Sequence, residues 1–334
     1  MTFTKYVAAA AVLSAVVLKV GVGIGGEKKD TTAQGLAKIR HCESILDDPM
    51  YVDPYAHLMY PGSSVQTLLG GRATLAVADW FLDGIFDHLS LRTKWIDDAV
   101  LGRANDNNNS YYDQLVILGA GYDTRGFRLD LPDGFAVWEV DQPGVQSRKR
   151  RLMEGIAATD RAVGARLGKP SPSAPHVEFL EIDFNADSIG ERLVSQPAFD
   201  RTKPTIVTLE GVTQYIPNSA TAGTLRQVRG FLSGGSVLVV SYVPSEVLDD
   251  TGSACPASAW RLRLLLRFFA WIGEPWIGSY PTAGFESFLR DSGYEIIENV
   301  GFSELNRRYL VPRNRGRKDE ELCNTERYVI ARAV

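Results

Sequence analysis

The feature that most constrains this chain is a short apolar run, Gln114 to Leu118, that stops at Gly119-Ala120-Gly121. Phe135 to Val140, Val177 to Ile182, Thr205 to Leu209 and Ser236 to Val243 follow, with segments of helical length such as Gln142 to Leu167 and Asn218 to Leu232 between them. Near-continuous apolar strands alternating with helices specify a parallel sheet covered on both faces. In such a sheet, a strand ending on two closely spaced glycines marks where a nucleotide-like ligand sits, beyond the carboxyl ends of the strands. Glycine lets the backbone approach that ligand. The chain finishes differently. Phe285 to Asp291 reads as helical, and Tyr294 to Val300 and Arg327 to Ala333 read as strands. The basic loop Arg307 to Lys318 separates those two strands, so they can pair antiparallel.

Ahead of the sheet lies a helical region. Leu36, Ile39, Arg40, Glu43 and Ile45 predict a helix from Thr31 to Leu46, begun by the capping residues Thr31 and Thr32. Asp47-Asp48-Pro49 and then Asp53-Pro54 interrupt the chain. Residues 72 to 101 resume at helical spacing with Leu75, Ala78, Phe81, Leu82, Ile85, Leu89, Trp95 and Ile96. This helical cap covers residues 30–105 and ends in the Asn-rich run Ala104 to Ser110. That run reads as a solvated loop and contains the sequon Asn108-Asn109-Ser110.

The first 29 residues stand apart. Tyr6 to Leu18 is apolar, follows Lys5, and continues past Lys19 to Ile24. A targeting segment, a membrane anchor through residues 6–24 and a helix packed on the domain are the three readings. Localisation follows from them: cytoplasmic, membrane-associated, or secretory and organellar.

Composition excludes several classes. A length of 334 residues with 45% hydrophobic and 23% charged residues fits a globular chain with a large core, as two domains or one α/β domain with a cap. The net charge of −4 argues against a nucleic-acid footprint. The basic run Arg148-Lys149-Arg150-Arg151 reads as a solvated helix face. Cys42, Cys255 and Cys323 are odd in number and far apart, so neither a zinc site nor a disulfide framework is expected. His41, His57, His88 and His176 are scattered, so no metal is expected.

The strand ends say which nucleotide-like ligand fits. A dinucleotide fingerprint calls for Gly or Ala at position 124, where the chain has Thr124. The second strand ends in Glu139-Val140-Asp141, about 20 residues after the first glycine, where an acidic side chain accepts both ribose hydroxyls. The third ends in Glu181-Ile182-Asp183-Phe184, a carboxylate for an adenine amino group and a ring to pack on the purine. S-adenosylmethionine and NAD share the ribose contact; NAD enzymes have no special need for the second pair.

Five blocks carry a family resemblance. They are Thr32 to Ser44, Arg92 to Asp98, Val116 to Arg125 with Gly-Ala-Gly-Tyr-Asp-Thr-Arg, Glu139 to Pro143, and Glu210 to Pro217; Trp276 to Leu289 agrees as well. From about residue 30 onward the chain resembles the leucine carboxyl methyltransferase superfamily, in particular its bacterial polyketide-type O-methyltransferases. The resemblance implies a doubly wound, Rossmann-like class I methyltransferase sheet with an antiparallel C-terminal strand and an N-terminal helical cap, the core covering residues 112–334. It implies S-adenosyl-L-methionine as cofactor. Arg40 and Arg92 would hold the methionine carboxylate, and Gly119 and Gly121 would line the cofactor. Asp141 would take the ribose, Asp183 with Phe184 the adenine, and Glu210 the methionine amino group.

The activity so implied is O-methylation of a carboxylate or hydroxyl, on a small molecule or a protein C-terminus. No His follows His176, so the loop after the fourth strand offers no imidazole base. That favours an acceptor already ionised, a carboxylate. Tyr215 and Arg125 are the candidates to position it, with Gln214 and Arg128 nearby. A pairing of these arginines with Asp123 or Asp141 is the structural alternative. The competing functions are a nicotinamide oxidoreductase on a similar sheet and a catalytically silent cofactor-binding protein.

Overall fold

Alternate residues of each central strand face opposite sides of the sheet, and both sides are apolar. Leu115, Ile117, Val137, Ile206, Val237 and Ile330 join one core with Trp95, Ile96 and Met153. Val116, Leu118, Val140, Val207, Leu238 and Val329 join the other with Leu193, Leu225, Phe231 and Phe285. A sheet so covered needs helices on both faces. The computed structural model describes residues 31–71, 84–102, 112–183 and 187–334. The apolar N-terminal segment, residues 72–83, the Asn-rich run with its sequon, and Phe184 lie outside the described residues.

The seven strands are β1 (Gln114–Leu118), β2 (Ala136–Asp141), β3 (His176–Glu181), β4 (Thr205–Leu209), β5 (Val237–Tyr242), β6 (Tyr294–Val300) and β7 (Arg327–Ala333). Their order is β3-β2-β1-β4-β5-β7-β6. The first five run parallel, and β7 enters antiparallel between β5 and β6. The sheet is the doubly wound arrangement closed by an antiparallel strand that the sequence predicts. The chain reverses its direction of travel across the sheet between β1 and β4, so the ligand crevice belongs at their carboxyl ends.

The helices that position this crevice are α1 (Thr31–Ser44), α2 (Ile85–Val100), α3 (Arg125–Arg128), α4 (Pro143–Ala157) and α5 (Ala259–Trp271). The predicted helix over Gln142 to Leu167 is two helices, because Asp160 caps a second one, Arg161–Leu167, with its side chain. Two further expectations are corrected. Lys149 does not join the solvated face of α4: it turns inward to Glu139, and neither side chain is exposed. Cys255 and Cys323 form a disulfide across a separation of 68 residues. The odd count hid this pair, since the third cysteine, Cys42, is buried and free of a disulfide. The basic stretch after β6 is helical in part, from Phe302 to Arg313, and Arg315 reaches back to Glu43. No described helix is long and apolar enough to cross a membrane.

Candidate functional site

The register puts the first site residues side by side. Leu118 of β1 pairs with Val140 on one side and Leu209 on the other. Gly119, Asp141 and Glu210 therefore leave the sheet at one level. Gly119 adopts φ +70° and Gly121 φ +46°. A side chain on Gly119 would run into Val212. The Gly121 amide donates to Asp141 Oδ2 at 2.6 Å, and the Gln142 amide donates to Oδ1 at 2.6 Å. Burial raises the Asp141 carboxyl, against the pull of those two amides. Asp183 is exposed at the neighbouring strand end, where its amide donates to Asp187.

Helix α1 lies over the glycine loop. Ala33, Ala37 and Arg40 fall on one face by their spacing. A Cβ on Gly121 would sit 3.5 Å from the Ala33 methyl, so the helix approaches closely. Arg40 donates from Nη2 to the Tyr122 carbonyl at 2.6 Å and from Nε to Asp53 at 2.8 Å. Asp53 also accepts from the Thr124 hydroxyl at 2.6 Å. This is why position 124 is Thr: its hydroxyl ties the loop to the cap. Burial pushes the Asp53 carboxyl up, but Arg40 and Arg128 outweigh it and hold it below the usual range.

Behind the glycine loop the charges interlock. Arg128 grips Asp97 with both amino groups at 2.7 and 2.8 Å. Arg125 donates to Asp97 at 2.7 Å and to Asp123 and Glu210 at 2.6 Å each. Arg92 reaches Glu210 at 2.8 Å and Glu326 at 2.5 Å. Gly211, at φ +65°, lets the Arg92 guanidinium lie against the backbone; an added Cβ would stand 3.5 Å from it. Glu326 is enclosed, raised by burial against the pull of Arg92, and accepts from Gln214. Burial also raises Glu210, but Arg125 and Arg92 overcome it and keep this carboxylate ionised.

The structure thus brings Arg40, Arg92, Gly119, Gly121, Asp141, Glu210 and Arg125 to one rim, with Asp183 at its edge. Arg125 is enclosed by carboxylates, and its Asp123 bond is the pairing the structural alternative anticipates. Tyr215 sits in a short turn beyond β4, its hydroxyl beside Thr32 and Trp276 and raised by burial. Glu274 stands next to it, bonded by the Thr32 hydroxyl and raised by burial.

Sequence reading missed Asp53, Asp97, Glu326 and Glu274 as site residues. Asp97 lay within a block that carried the resemblance. Glu326 comes from the far C-terminal end, and only the antiparallel entry of β7 beside β5 carries it to the rim.

Four arginines (Arg40, Arg92, Arg125, Arg128) meet five carboxylates (Asp53, Asp97, Asp123, Glu210, Glu326) here among the described residues. The excess is one negative charge, before Asp141 is counted. Such a rim suits a ligand that brings more positive than negative charge.

Residues 32–229 match the family model described as leucine carboxyl methyltransferase. The chain belongs to this family. A relative in Mycobacterium marinum, named as an S-adenosyl-L-methionine-dependent methyltransferase, is 31% identical over 233 residues, covering 67% of this chain and 68% of its own. One in Mycolicibacterium gilvum with the same name is 30% identical over 243 residues, covering 70% and 71%. Among solved structures, a protein of Streptomyces avermitilis superposes with TM-score 0.55 at 16% identity, over 89% of this chain and 97% of its own. Another, from Thermobifida fusca, gives TM-score 0.51 at 17% identity, over 90% and 97%. These two establish the fold. The chain is accordingly an S-adenosyl-L-methionine-dependent methyltransferase, and the nicotinamide reading falls. The anionic excess agrees, because the cofactor carries a sulfonium and an ammonium against one carboxylate.

Proposed function

We propose that this methyltransferase acts on oxygen, and that the oxygen belongs to a carboxylate of a small molecule or a protein C-terminus. The observation that carries the reading is the lack of an imidazole base at the rim. His176 begins β3 and so lies at the amino-terminal end of the strands, away from the rim at their carboxyl ends. His41 is bonded to Tyr60 and lowered by burial. His88 is enclosed against Phe302, and burial pushes it down to about 3. His57 is exposed beside His41. A phenol or alcohol needs its proton removed, whereas a carboxylate is ionised at neutral pH. The family's name supports the same acceptor class.

The residue roles follow. With Nε and Nη2 of Arg40 and Nε and Nη1 of Arg92 engaged, Arg40 Nη1 and Arg92 Nη2 are the groups offered to the methionine carboxylate. Asp141 takes the ribose hydroxyls, Asp183 with Phe184 the adenine, and Glu210 the methionine ammonium. Bound there, S-adenosyl-L-methionine supplies a methyl group on sulfur for in-line displacement. Positioning provides most of the acceleration in such a reaction. Tyr215 orients the acceptor. Arg125 acts one step back, holding Glu210 and Asp123 in place.

A second reading, a hydroxyl acceptor, is favoured by Glu274, a half-buried carboxylate beside Tyr215 whose raised affinity for protons would suit a base. Incubation with a labelled methyl donor and a panel of carboxylic acids and phenols decides between them. An ester releases its label in mild alkali. An alkali-stable product points to the hydroxyl.

A further inference from the structure

Helix α5 carries large apolar residues on both its inner and its outer side. Its inner side packs Leu262, Leu265 and Leu266 on a small core around the disulfide, and Phe269 stacks on Trp276. Its outer side carries Trp260, Leu264, Arg267 and Trp271, at i, i+4, i+7 and i+11, which is one stripe of a helix. Trp260 is 59% exposed, Leu264 54% and Trp271 78%, and Ile277 just beyond is 53% exposed. Large side chains left this open over three turns mark a contact surface. Arg261, Arg263 and Arg267 lie among them, and the helix has no acidic residue.

We propose that this stripe is a docking face for an anionic lipid surface. Tryptophans at both ends, an aliphatic centre and interleaved arginines are the composition of a helix lying in a bilayer interface. Charge disfavours the nearest alternative: a second copy packed across a two-fold axis would set arginines against arginines. The interleaved arginines, with no acidic residue on the helix, complement anionic headgroups.

The face also connects to the reaction site. The amides of Ile277 and Gly278 donate to the Gln214 carbonyl at 2.7 and 3.1 Å, and a side chain on Gly278 would collide with the Thr213 and Ile216 carbonyls. The strap that follows the docking helix is thus seated on the loop that holds Tyr215.

The test uses the full chain and vesicles of phosphatidylcholine with or without phosphatidylglycerol. Flotation should show binding at least about tenfold tighter to the anionic vesicles, weakening as salt rises. Brominated lipid should quench tryptophan emission, and the quenching should disappear in Trp260→Ser/Trp271→Ser. Arg263→Gln/Arg267→Gln should lose the preference for phosphatidylglycerol while still binding S-adenosyl-L-methionine as tightly as wild type. Absence of wild-type binding overturns the proposal, as does binding that both double variants retain in full. Self-association without vesicle binding, abolished by the tryptophan substitutions, overturns it in favour of a second copy.

Discussion

Glu139 and Lys149 form an ion pair 2.5 Å apart in which neither side chain is exposed, two residues before Asp141 on β2. Burial, the dominant influence, pushes the Glu139 carboxyl up to about 7 against the pull of Lys149. A carboxyl whose folded-state value is raised contributes its stability fully below the unfolded value, near 4.5, and loses it as pH rises through 7. Removing one partner should be costly, because a lone charge is left enclosed. Lys149→Met should cost about 3–5 kcal/mol, and more above pH 7 than below it, where Glu139 can stay protonated. Replacing both, as Glu139→Leu/Lys149→Met, should cost far less than the sum of the two single variants. Urea unfolding of the four proteins at about pH 5.5 and 8 measures the cycle.

Arg125 touches Asp97, Asp123 and Glu210 and is almost wholly enclosed. Its loss leaves three carboxylates short of a counter-charge. Arg125→Met should therefore lower stability by about 3–5 kcal/mol. Arg125→Lys, which keeps the charge but not the fork, should fold and bind S-adenosyl-L-methionine at least about tenfold more weakly. The acceptor KM should be unchanged in Arg125→Lys. A raised acceptor KM with normal cofactor affinity would show that Arg125 meets the acceptor directly.

Asp141 has a double duty, closing the glycine loop and presenting a carboxylate at the ribose position. Asp141→Ala removes the acceptor for the Gly121 and Gln142 amides as well as for the hydroxyls. Calorimetry should show a loss in cofactor affinity of about tenfold or more. Asp141→Asn keeps an acceptor for one amide and should fall between the two. Unchanged affinity in Asp141→Ala would remove this strand end from the cofactor site.

The sheet was legible because its strands are buried on both faces, so apolar runs such as Gln114 to Leu118 and Thr205 to Leu209 coincide with β1 and β4. Glycine spacing located the crevice for the same local reason. What the sequence hid is long-range pairing. Nothing in the local sequence signals that Glu326, just before β7, and Asp97, in the last turn of α2, will be joined to Glu210 through Arg92 and Arg125. Lys149 reads as solvated beside three other basic residues, and only its partner on β2 turns it inward. Cys255 and Cys323 are separated by a fold, not by a motif.

The acceptor is decided by proton bookkeeping at Tyr215 and Glu274. A carboxylate acceptor is ionised throughout the range from about pH 8 to 6, so the methylation rate should stay level across it. Glu274 would then be a neighbour and not a base: Glu274→Gln should leave kcat within about threefold of wild type and should lower KM by removing a like charge. A hydroxyl acceptor relying on Glu274 behaves in the opposite way. Its rate should fall as pH drops through the raised Glu274 value, and Glu274→Gln should reduce kcat by about a hundredfold or more, the usual worth of a general base. Tyr215→Phe separates orientation from proton transfer, since it should raise acceptor KM under either chemistry without changing the shape of the pH profile. A loss of rate as pH drops through the raised Glu274 value, together with a collapse of kcat in Glu274→Gln, would replace the carboxylate with a hydroxyl and leave the methyltransferase assignment in place.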